Sequence, residues 1–227
     1  MKDGVLFGVD EEHLVDYQGV RMHRDVVPHW EQIQRDAAGA GFELKIASCY
    51  RGFEHQLRIW NEKVSGKRKV LDANEVELDV TSMEAEECLW SILRWTALPG
   101  SSRHHWGTDV DVYESSTLPL GYRLQLTQAE AASDGVLGTF HDWLSDNIEQ
   151  QNVFYRPYDG SGCVAYEPWH LSCRPISDSF QQALSKERLV QFIEGQHELL
   201  LKDQVLASID EIYAGLVLRA DEQVAHS

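Results

Sequence analysis

One short stretch of the 227-residue chain concentrates side chains that could bind a metal ion. Two histidines, two carboxylates and Gly107 lie within eight residues, and the candidate ligands His104 and Asp111 stand at the two ends. Neutral imidazole and carboxylate are ligand types that zinc accepts in catalytic sites. On a straight strand these two side chains would point to opposite faces, so the chain would have to turn at Gly107 for them to converge. Taken alone, a solvated turn with a capping carboxylate is the more ordinary explanation.

A second cluster places Glu167 three residues before His170. A carboxylate and an imidazole at this spacing could supply a proton-transfer base and a third metal ligand. Pro168 lies between them and disfavours a regular helix, so we expect the pair on a bent strand. Trp169 completes the cluster, and a tryptophan more often fills a core than shapes a pocket. This cluster is not specific by itself either.

A third cluster, at residues 48–56, falls where a predicted strand meets a predicted helix. Arg51 at such a junction could bind a carboxylate, or a carbonyl oxygen that becomes negative in a transition state. A surface arginine paired with one of the chain's many carboxylates is the plainer explanation for this cluster on its own.

The elements that must position these clusters are predicted from apolar periodicity and from residues that begin or end helices. Helices are predicted at about 29–40, 53–64, 82–96 and 138–149, and strands at 42–48, 109–113 and 164–171. Thr127 and Glu130 indicate a capping box, and two last helices are predicted at about 177–193 and 198–218. Helices at both ends around short central strands indicate an α+β fold. We find no linker or repeat and expect a single domain over residues 1–227.

Charge and hydropathy exclude several classes of partner. The formal net charge is -17, and the acidic residues are spread along the chain without a basic stripe. Nucleic acid and anionic membrane surfaces are therefore poor partners. No stretch approaches the ~18 apolar residues that a membrane-spanning helix needs.

The first residues show no export signal, because Asp10 interrupts the apolar stretch near the N-terminus. We therefore expect a cytoplasmic protein. Its four cysteines form no CxxC pair, and in that compartment they are expected to be reduced and buried. The spacing leaves a Cys163–Cys173 bridge open as an alternative.

Taken together, the three clusters resemble the family of zinc D-Ala-D-Ala carboxypeptidases and dipeptidases, the LAS-type metallopeptidases. That family includes bacterial L,D-carboxypeptidases and shares its fold with hedgehog-type domains. Its motifs are S-x-Y-R-x(4)-Q, S-x-H-x(2)-G-x(3)-D and E-x-x-H. All ten motif positions match in order, namely Ser48, Tyr50, Arg51, Gln56, Ser102, His104, Gly107, Asp111, Glu167 and His170. The combination is far more specific than any cluster alone.

The resemblance implies a small central antiparallel sheet that carries one zinc ion per chain and is flanked by helices. The implied ligands are His104, Asp111 and His170, which leave a fourth position for water. Glu167 is implied as the catalytic base, which takes a proton from water and later gives it to the leaving amine. Arg51 is implied as the group that stabilises the oxyanion.

Further residues are expected, by resemblance, to contact the substrate, which would be a muropeptide or a free stem peptide. Ser102 and Gln56 would hold its peptide end or its terminal carboxylate. Trp106 and Trp169 would wall the pocket. Tyr50 would either contact the substrate or be structural.

The sequence departs from the family's pattern at two places near the ligands. Asp109 stands where the family usually has alanine, and Leu-Ser-Cys at 171–173 replaces an aromatic-Arg-Tyr run. Neither departure removes a ligand, but both could alter the pocket, so they leave substrate preference open. The N-terminal extension at about 1–40 and the C-terminal helices at about 177–218 carry no motif that matches.

The function that these features favour is a zinc-dependent L,D-carboxypeptidase, which removes terminal D-Ala from peptidoglycan tetrapeptides during cell-wall recycling. A D,D-carboxypeptidase or a D-Ala-D-Ala dipeptidase is the alternative among enzymes. A non-catalytic zinc-containing binding module is the alternative outside enzymes, although such a module would have no need of Glu167 or Arg51.

Overall fold

The computed structural model describes residues 1–218 of the chain. Its strands are β1 (Leu14–Tyr17), β2 (Val20–His23), β3 (Leu44–Ser48), β4 (Val70–Leu71), β5 (Glu77–Leu78), β6 (Asp109–Glu114), β7 (Phe154–Tyr155) and β8 (His170–Cys173). Its helices are α1 (Asp3–Leu6), α2 (Val27–Gly39), α3 (Phe53–Val64), α4 (Ala85–Leu93), α5 (Gln128–Ala131), α6 (Gly138–Gln151), α7 (Arg174–Ala183), α8 (Lys186–Glu194), α9 (Lys202–Ala207) and α10 (Ile209–Tyr213). Short 3₁₀ turns span Val80–Ser82 and Arg103–Trp106. A last helical turn spans Ala214–Leu218.

A four-stranded antiparallel sheet in the order β3-β6-β8-β7 carries one residue of each motif, namely Ser48, Asp111 and His170. The hairpins β1-β2 and β4-β5 lie outside it. Strand β6 is central, and its Asp111 pairs with Ser48 of β3 on one side and with His170 of β8 on the other. The expected α+β fold with a small central sheet is therefore confirmed, and the sheet joins all three motif clusters.

The two faces of the sheet differ because side chains alternate along β6. Val110 and Val112 are fully buried in a hydrophobic cluster that also contains Trp30 of α2 and Phe140 of α6. By the same alternation, the side chains of Asp109 and Asp111 lie on the opposite face. One face thus stabilises the sheet by burying apolar area, while the other is left for polar chemistry.

Most predicted elements before residue 152 are confirmed, with ends that differ by a few residues. Helix α3 has the predicted bounds, and Thr127 and Glu130 form the predicted capping box. The predicted strand at 164–171 is wrong in its first part, because only His170 and the residues after it pair in the sheet. The backbone before it bonds elsewhere, since the amides of Ala165 and Glu167 donate to the carbonyls of Arg94 and Tyr158.

The prediction of two long C-terminal helices is wrong. Ser185 divides the first, because its side chain accepts a hydrogen bond from the amide of Arg188 and so begins a new helix, α8. The second is divided at Ser208, between α9 and α10.

The N-terminal extension packs against these C-terminal helices. The rings of Phe7 and Phe192 stack with their centroids 4.0 Å apart, and Arg188 Nε donates to Asp3 Oδ1 at 3.0 Å. Segments that carry no motif therefore share one hydrophobic cluster with α3 and α4.

Among the described residues, no helix is long and apolar enough to cross a membrane. The thiols of Cys49, Cys88 and Cys173 are buried, and no disulfide forms within residues 1–218, so the Cys163–Cys173 alternative is wrong.

Candidate metal centre and active-site cavity

Three predicted ligands converge on one face of the sheet. The 3₁₀ turn that carries His104 ends at Gly107, which has φ +66, and the chain then enters β6 and reaches Asp111. A Cβ at Gly107 would lie 3.0 Å from the amide nitrogen of His23, so the turn requires glycine. His170 is the first residue of β8. Ligand atoms of His104, Asp111 and His170 all lie within 4.8 Å of one another.

The second partner of each imidazole fixes which nitrogen faces the common point. His104 Nδ1 lies 2.7 Å from the carbonyl oxygen of Cys49 and must donate to it, which leaves Nε2 free, 3.3 Å from Asp111 Oδ2. His170 Nε2 lies 2.9 Å from Asp109 Oδ2, which leaves Nδ1 only 3.1 Å from Asp111 Oδ1. Carbonyl and carboxylate oxygens only accept, so Cys49 and Asp109 each require a proton on the nitrogen that faces them, and the nitrogen that faces Asp111 is the one that a metal ion could bind.

The donor set fits a divalent cation. Asp111 Oδ1 is buried and receives no aligned hydrogen bond from any residue that the structure describes, although His170 Nδ1 is close by. Two imidazole nitrogens and a buried carboxylate oxygen that point at one another without hydrogen bonding are the arrangement that a tetrahedral zinc ion with an open position uses.

Burial and charge set the protonation of the ligands. Burial lowers the pKa of His104, so its imidazole is neutral and able to bind metal. Burial also acts to lower the pKa of His170, but the adjacent carboxylates of Asp109 and Asp111 outweigh it and raise that pKa to about 10. In the metal-free protein His170 therefore holds a proton that a metal ion must displace.

Glu167 lies beside the ligand group. Its Oε2 is 3.5 Å from His170 Nδ1, and its side chain is 14% exposed. Burial raises the pKa of Glu167 to about 7, with Asp111 adding to the increase and the cationic groups of His170, Arg51 and Lys63 opposing it. A carboxyl group with this pKa can both accept and return a proton near neutral pH.

Arg51 faces the same cavity and is held from behind. Its Nη1 donates to Gln56 Oε1 at 2.9 Å and its Nη2 to Ser48 Oγ at 3.3 Å. Gln56 in turn donates to the carbonyl oxygen of Ala97 at 2.7 Å. These contacts fix the plane of the guanidinium, which is a precondition for directed hydrogen bonds to a substrate oxygen.

The cavity that contains these groups has a volume of about 290 Å³. Ser102 and Trp169 line it, as do residues of two loops, including Glu75 and Leu126. Tyr158 also lines it, with its ring centroid 4.8 Å from that of His170. Sequence reasoning missed Tyr158 because no motif position marks it.

Three residues that were expected at the substrate do not line this cavity. Gln56 is fully buried behind Arg51, so its role is to support that side chain. Trp106 is 1% exposed, donates to the carbonyl oxygen of Leu6 and is part of the core. Tyr50 donates to the carbonyl oxygen of Gly8 at 3.1 Å, which favours the structural alternative for this residue.

The ligand group and the adjacent carboxylate are the groups that a metallopeptidase site needs, and comparison with known proteins supports this class. Residues 19–176 match the VanY family, described as D-alanyl-D-alanine carboxypeptidase, and the chain belongs to this family.

Two uncharacterized proteins of Haemophilus influenzae are similar to this chain. One is 30% identical over 124 residues, which cover 53% of this chain and 93% of that protein. The other is 36% identical over 99 residues, which cover 41% and 68% respectively.

Solved structures share the fold at low identity. VanYB in complex with D-Alanine-D-Alanine aligns with a TM-score of 0.51 at 20% identity, over 81% of this chain and 88% of that one. The LdcB LD-carboxypeptidase aligns with the same score and identity, over 79% of this chain and 78% of that one. A VanY D,D-pentapeptidase in complex with Zn(II) aligns equally well, over 80% and 92%. Together with the family match, the site supports a VanY-like zinc peptidase that acts on peptidoglycan peptides.

Proposed function

We propose that this chain is a zinc-dependent L,D-carboxypeptidase that removes the terminal D-Ala from peptidoglycan tetrapeptides. The observation that carries the catalytic part is the position of Glu167, whose pKa is raised to about 7 and which lies 3.5 Å from a ligand nitrogen of His170. A binding module with a structural zinc would not need a proton-transfer group in that place.

The residues divide the chemistry among them. Bound zinc, held by His104, Asp111 and His170, would polarise the attacking water and the scissile carbonyl group. Glu167 in its ionised form accepts the proton of the attacking water and then delivers it to the amine of the departing D-Ala. Arg51 donates hydrogen bonds to the carbonyl oxygen as negative charge develops there.

The preference for an L,D bond rests on the expected compartment. We propose a cytoplasmic enzyme, and wall peptides that return to the cytoplasm are expected to be mostly tetrapeptides. In a tetrapeptide the bond to D-Ala follows the L-configured centre of a diamino acid. A cytoplasmic D,D-peptidase would also threaten the cell's own pentapeptide precursors. The net charge of -17 is consistent with a small soluble substrate and offers no means of holding a polyanionic wall polymer.

The second candidate is a D,D-carboxypeptidase, which the description of the matched family favours. It would use the same residues in the same roles, because only the configuration of the penultimate residue differs. The choice between the two is therefore a question of substrate and not of mechanism.

The test compares kcat/KM of the zinc-loaded protein on monomeric tetrapeptide and pentapeptide muropeptides, with products identified by mass spectrometry. We expect release of D-Ala from the tetrapeptide to be the faster reaction. Release from the pentapeptide with the tetrapeptide left intact would replace the L,D proposal by the D,D one. A Glu167→Ala variant prepared in parallel controls for contaminating peptidases. If no peptide is cut by the zinc-loaded wild type, the enzyme proposal itself is wrong.

The proposed location has its own measurement. Fractionation of cells that express the full natural chain, followed by immunodetection, should find the protein with cytoplasmic markers. Recovery in the envelope fraction would remove the main argument for tetrapeptides as the substrate.

A further inference from the structure

A buried carboxylate outside the ligand group holds one of the ligands. Asp109 is 0% exposed and accepts four hydrogen bonds. Its Oδ1 accepts from Thr108 Oγ1 at 2.7 Å and from Ser172 Oγ at 2.8 Å. Its Oδ2 accepts from Arg103 Nε at 2.8 Å and from His170 Nε2 at 2.9 Å. The carboxylate is thus fully satisfied, as a buried charge must be.

The charge that balances Asp109 is equally well fixed. Arg103 is 2% exposed, and its Nη1 donates to Gln181 Oε1 at 2.7 Å. Its Nη2 donates to Tyr155 OH at 2.8 Å and to Ser172 Oγ at 2.7 Å. The guanidinium therefore joins α7, β7 and β8 to the carboxylate on β6. Both members of this ion pair are buried and held by several hydrogen bonds.

The contacts of His170 show which nitrogen of its imidazole this ion pair holds. Asp109 and Asp111 lie two residues apart on the same face of β6, and they contact opposite nitrogens of the one imidazole. Because Asp109 only accepts, it requires the proton on Nε2 and leaves Nδ1 turned toward Asp111 and His104. A carboxylate behind a ligating histidine fixes its tautomer and its ring orientation.

We infer that Asp109, held in place by Arg103, is a positioning residue that presents Nδ1 of His170 to the metal ion. This inference rests on the zinc site of the proposed function but not on which peptide bond is cut. It predicts that loss of the acceptor at position 109 weakens zinc binding even when the fold and all three ligands are intact.

The test must avoid a buried charge without a partner, because such a variant could fail to fold. Both charges are therefore removed together. The variant Arg103→Met with Asp109→Asn keeps an oxygen that can accept from His170. The variant Arg103→Met with Asp109→Leu has nearly the same volume but no acceptor. The two variants therefore differ in the acceptor at position 109, which serves His170 together with Thr108 and Ser172.

Zinc affinity is measured by competition with a chromophoric chelator, and the folded state of each variant is checked by thermal unfolding. We expect the Leu variant to bind zinc ~10–100-fold more weakly than the Asn variant, the usual effect of removing an outer-shell partner. Equal affinities in the two folded variants would overturn the inference. If the wild type bound no zinc, the proposed function would fail together with it.

A second readout follows the imidazole itself. In the zinc-loaded wild type, ¹⁵N NMR should show His170 protonated at Nε2, and the same should hold for the Asn variant. In the zinc-loaded Leu variant the Nε2 proton should exchange with water more rapidly, because no acceptor holds it. Retention of the protected Nε2 proton in the Leu variant would mean that packing, and not Asp109, orients the ring.

Discussion

Replacement of Glu167 tests the proposed chemistry most directly, because this carboxylate is close to the ligands without being one of them. The ligand atoms of His104, Asp111 and His170 form the candidate group within 4.8 Å, and Glu167 does not belong to it. We therefore expect Glu167→Ala to keep zinc at one ion per chain. Removal of a positioned proton-transfer group should lower kcat by ~10²–10⁴-fold.

The pKa of Glu167 predicts how activity depends on pH. At a pKa of about 7, about half of the carboxylates are ionised at pH 7 and about 1% at pH 5, because each pH unit changes the ratio tenfold. Since the base must be ionised, activity is lost as the pH falls through this pKa. A bound cation favours the carboxylate, so the acid limb of kcat/KM should lie at or somewhat below pH 7.

The assay is steady-state cleavage of a muropeptide from pH 4.5 to 8.5, with the zinc content determined for each preparation. Glu167→Gln is the matched control, because it keeps the size of the side chain while it removes the basic oxygen. Both variants should bind zinc, and their residual activity should lack the wild-type acid limb. Near-normal kcat in either variant, or an unchanged acid limb, would eliminate Glu167 as the base. Loss of zinc from both would identify it as a ligand.

Three other measurements address the ligands, Arg51 and the proton on His170. His104→Ala and Asp111→Ala should each lose tight zinc binding, and stoichiometric zinc under chelator competition would contradict the assignment. Arg51→Lys should lower kcat with little change in KM, because an ammonium cannot reproduce the planar donors, whereas a rise in KM alone would indicate a ground-state carboxylate anchor. The carboxylates of Asp109 and Asp111 raise the pKa of His170, so near neutral pH zinc must displace a proton and zinc affinity should rise with pH. Calorimetry in buffers of different ionisation enthalpy should find about one proton released, and a pH-independent affinity would refute this.

The convergence of the ligands could be predicted because it depends on the backbone. The spacing from His104 to Asp111 demanded a turn, and Gly107 was the residue able to make it. Once β6 and β8 pair with Asp111 opposite His170, the third ligand is fixed by register alone. Such constraints act through main-chain geometry, which a short motif specifies well.

The roles of side chains next to the motifs could not be predicted in the same way. Gln56 belongs to a motif, but its place on α3 turns it toward the buried side, as for Leu57 and Trp60. Trp106 lies between ligands in sequence, yet its indole points into a core built from distant segments. Whether such a side chain faces the cavity or the core depends on helices that carry no motif. Local sequence does not specify how those helices pack.

The role of Asp109 could be predicted from the sequence only in part. Strand alternation places it on the same face as Asp111, so a contact with the site could have been expected from sequence. Its partner could not, because Arg103 reaches it from the preceding turn while also binding Gln181 of α7. The network also includes Ser172, which pairs with Asp109 across the strands. Both departures from the family's pattern thus meet in one buried cluster.

The motif-free N-terminus has a definite structural role near the site. The carbonyl oxygen of Gly8 accepts from the amide of Phe53 at 2.8 Å and from Tyr50 OH at 3.1 Å. The ring of His105 packs directly against Gly8. Its Nδ1 donates to the carbonyl oxygen of Arg51 at 2.6 Å, and its Nε2 accepts from the amide of Gly100. The imidazole of His105 is therefore held on three sides, next to the backbone that carries Arg51.

A substitution of Gly8 should therefore lower the stability of the region that holds His105 and the backbone of Arg51. Gly8 has φ +73, and a Cβ there would lie 2.6 Å from His105 Nδ1, so Gly8→Ala adds a steric conflict to the cost of a left-handed backbone. The backbone cost is about 1–2 kcal/mol, and displacement in a packed region adds about 1–3 kcal/mol. Gly19→Ala is the control, because Gly19 has φ +85 but no atom within 4 Å of an added Cβ. Gly8→Ala should lower Tm by about 4–20 °C and Gly19→Ala by about 2–8 °C, as measured by calorimetry. Equal melting temperatures for the two variants would show that the contact between Gly8 and His105 yields easily and contributes little to stability.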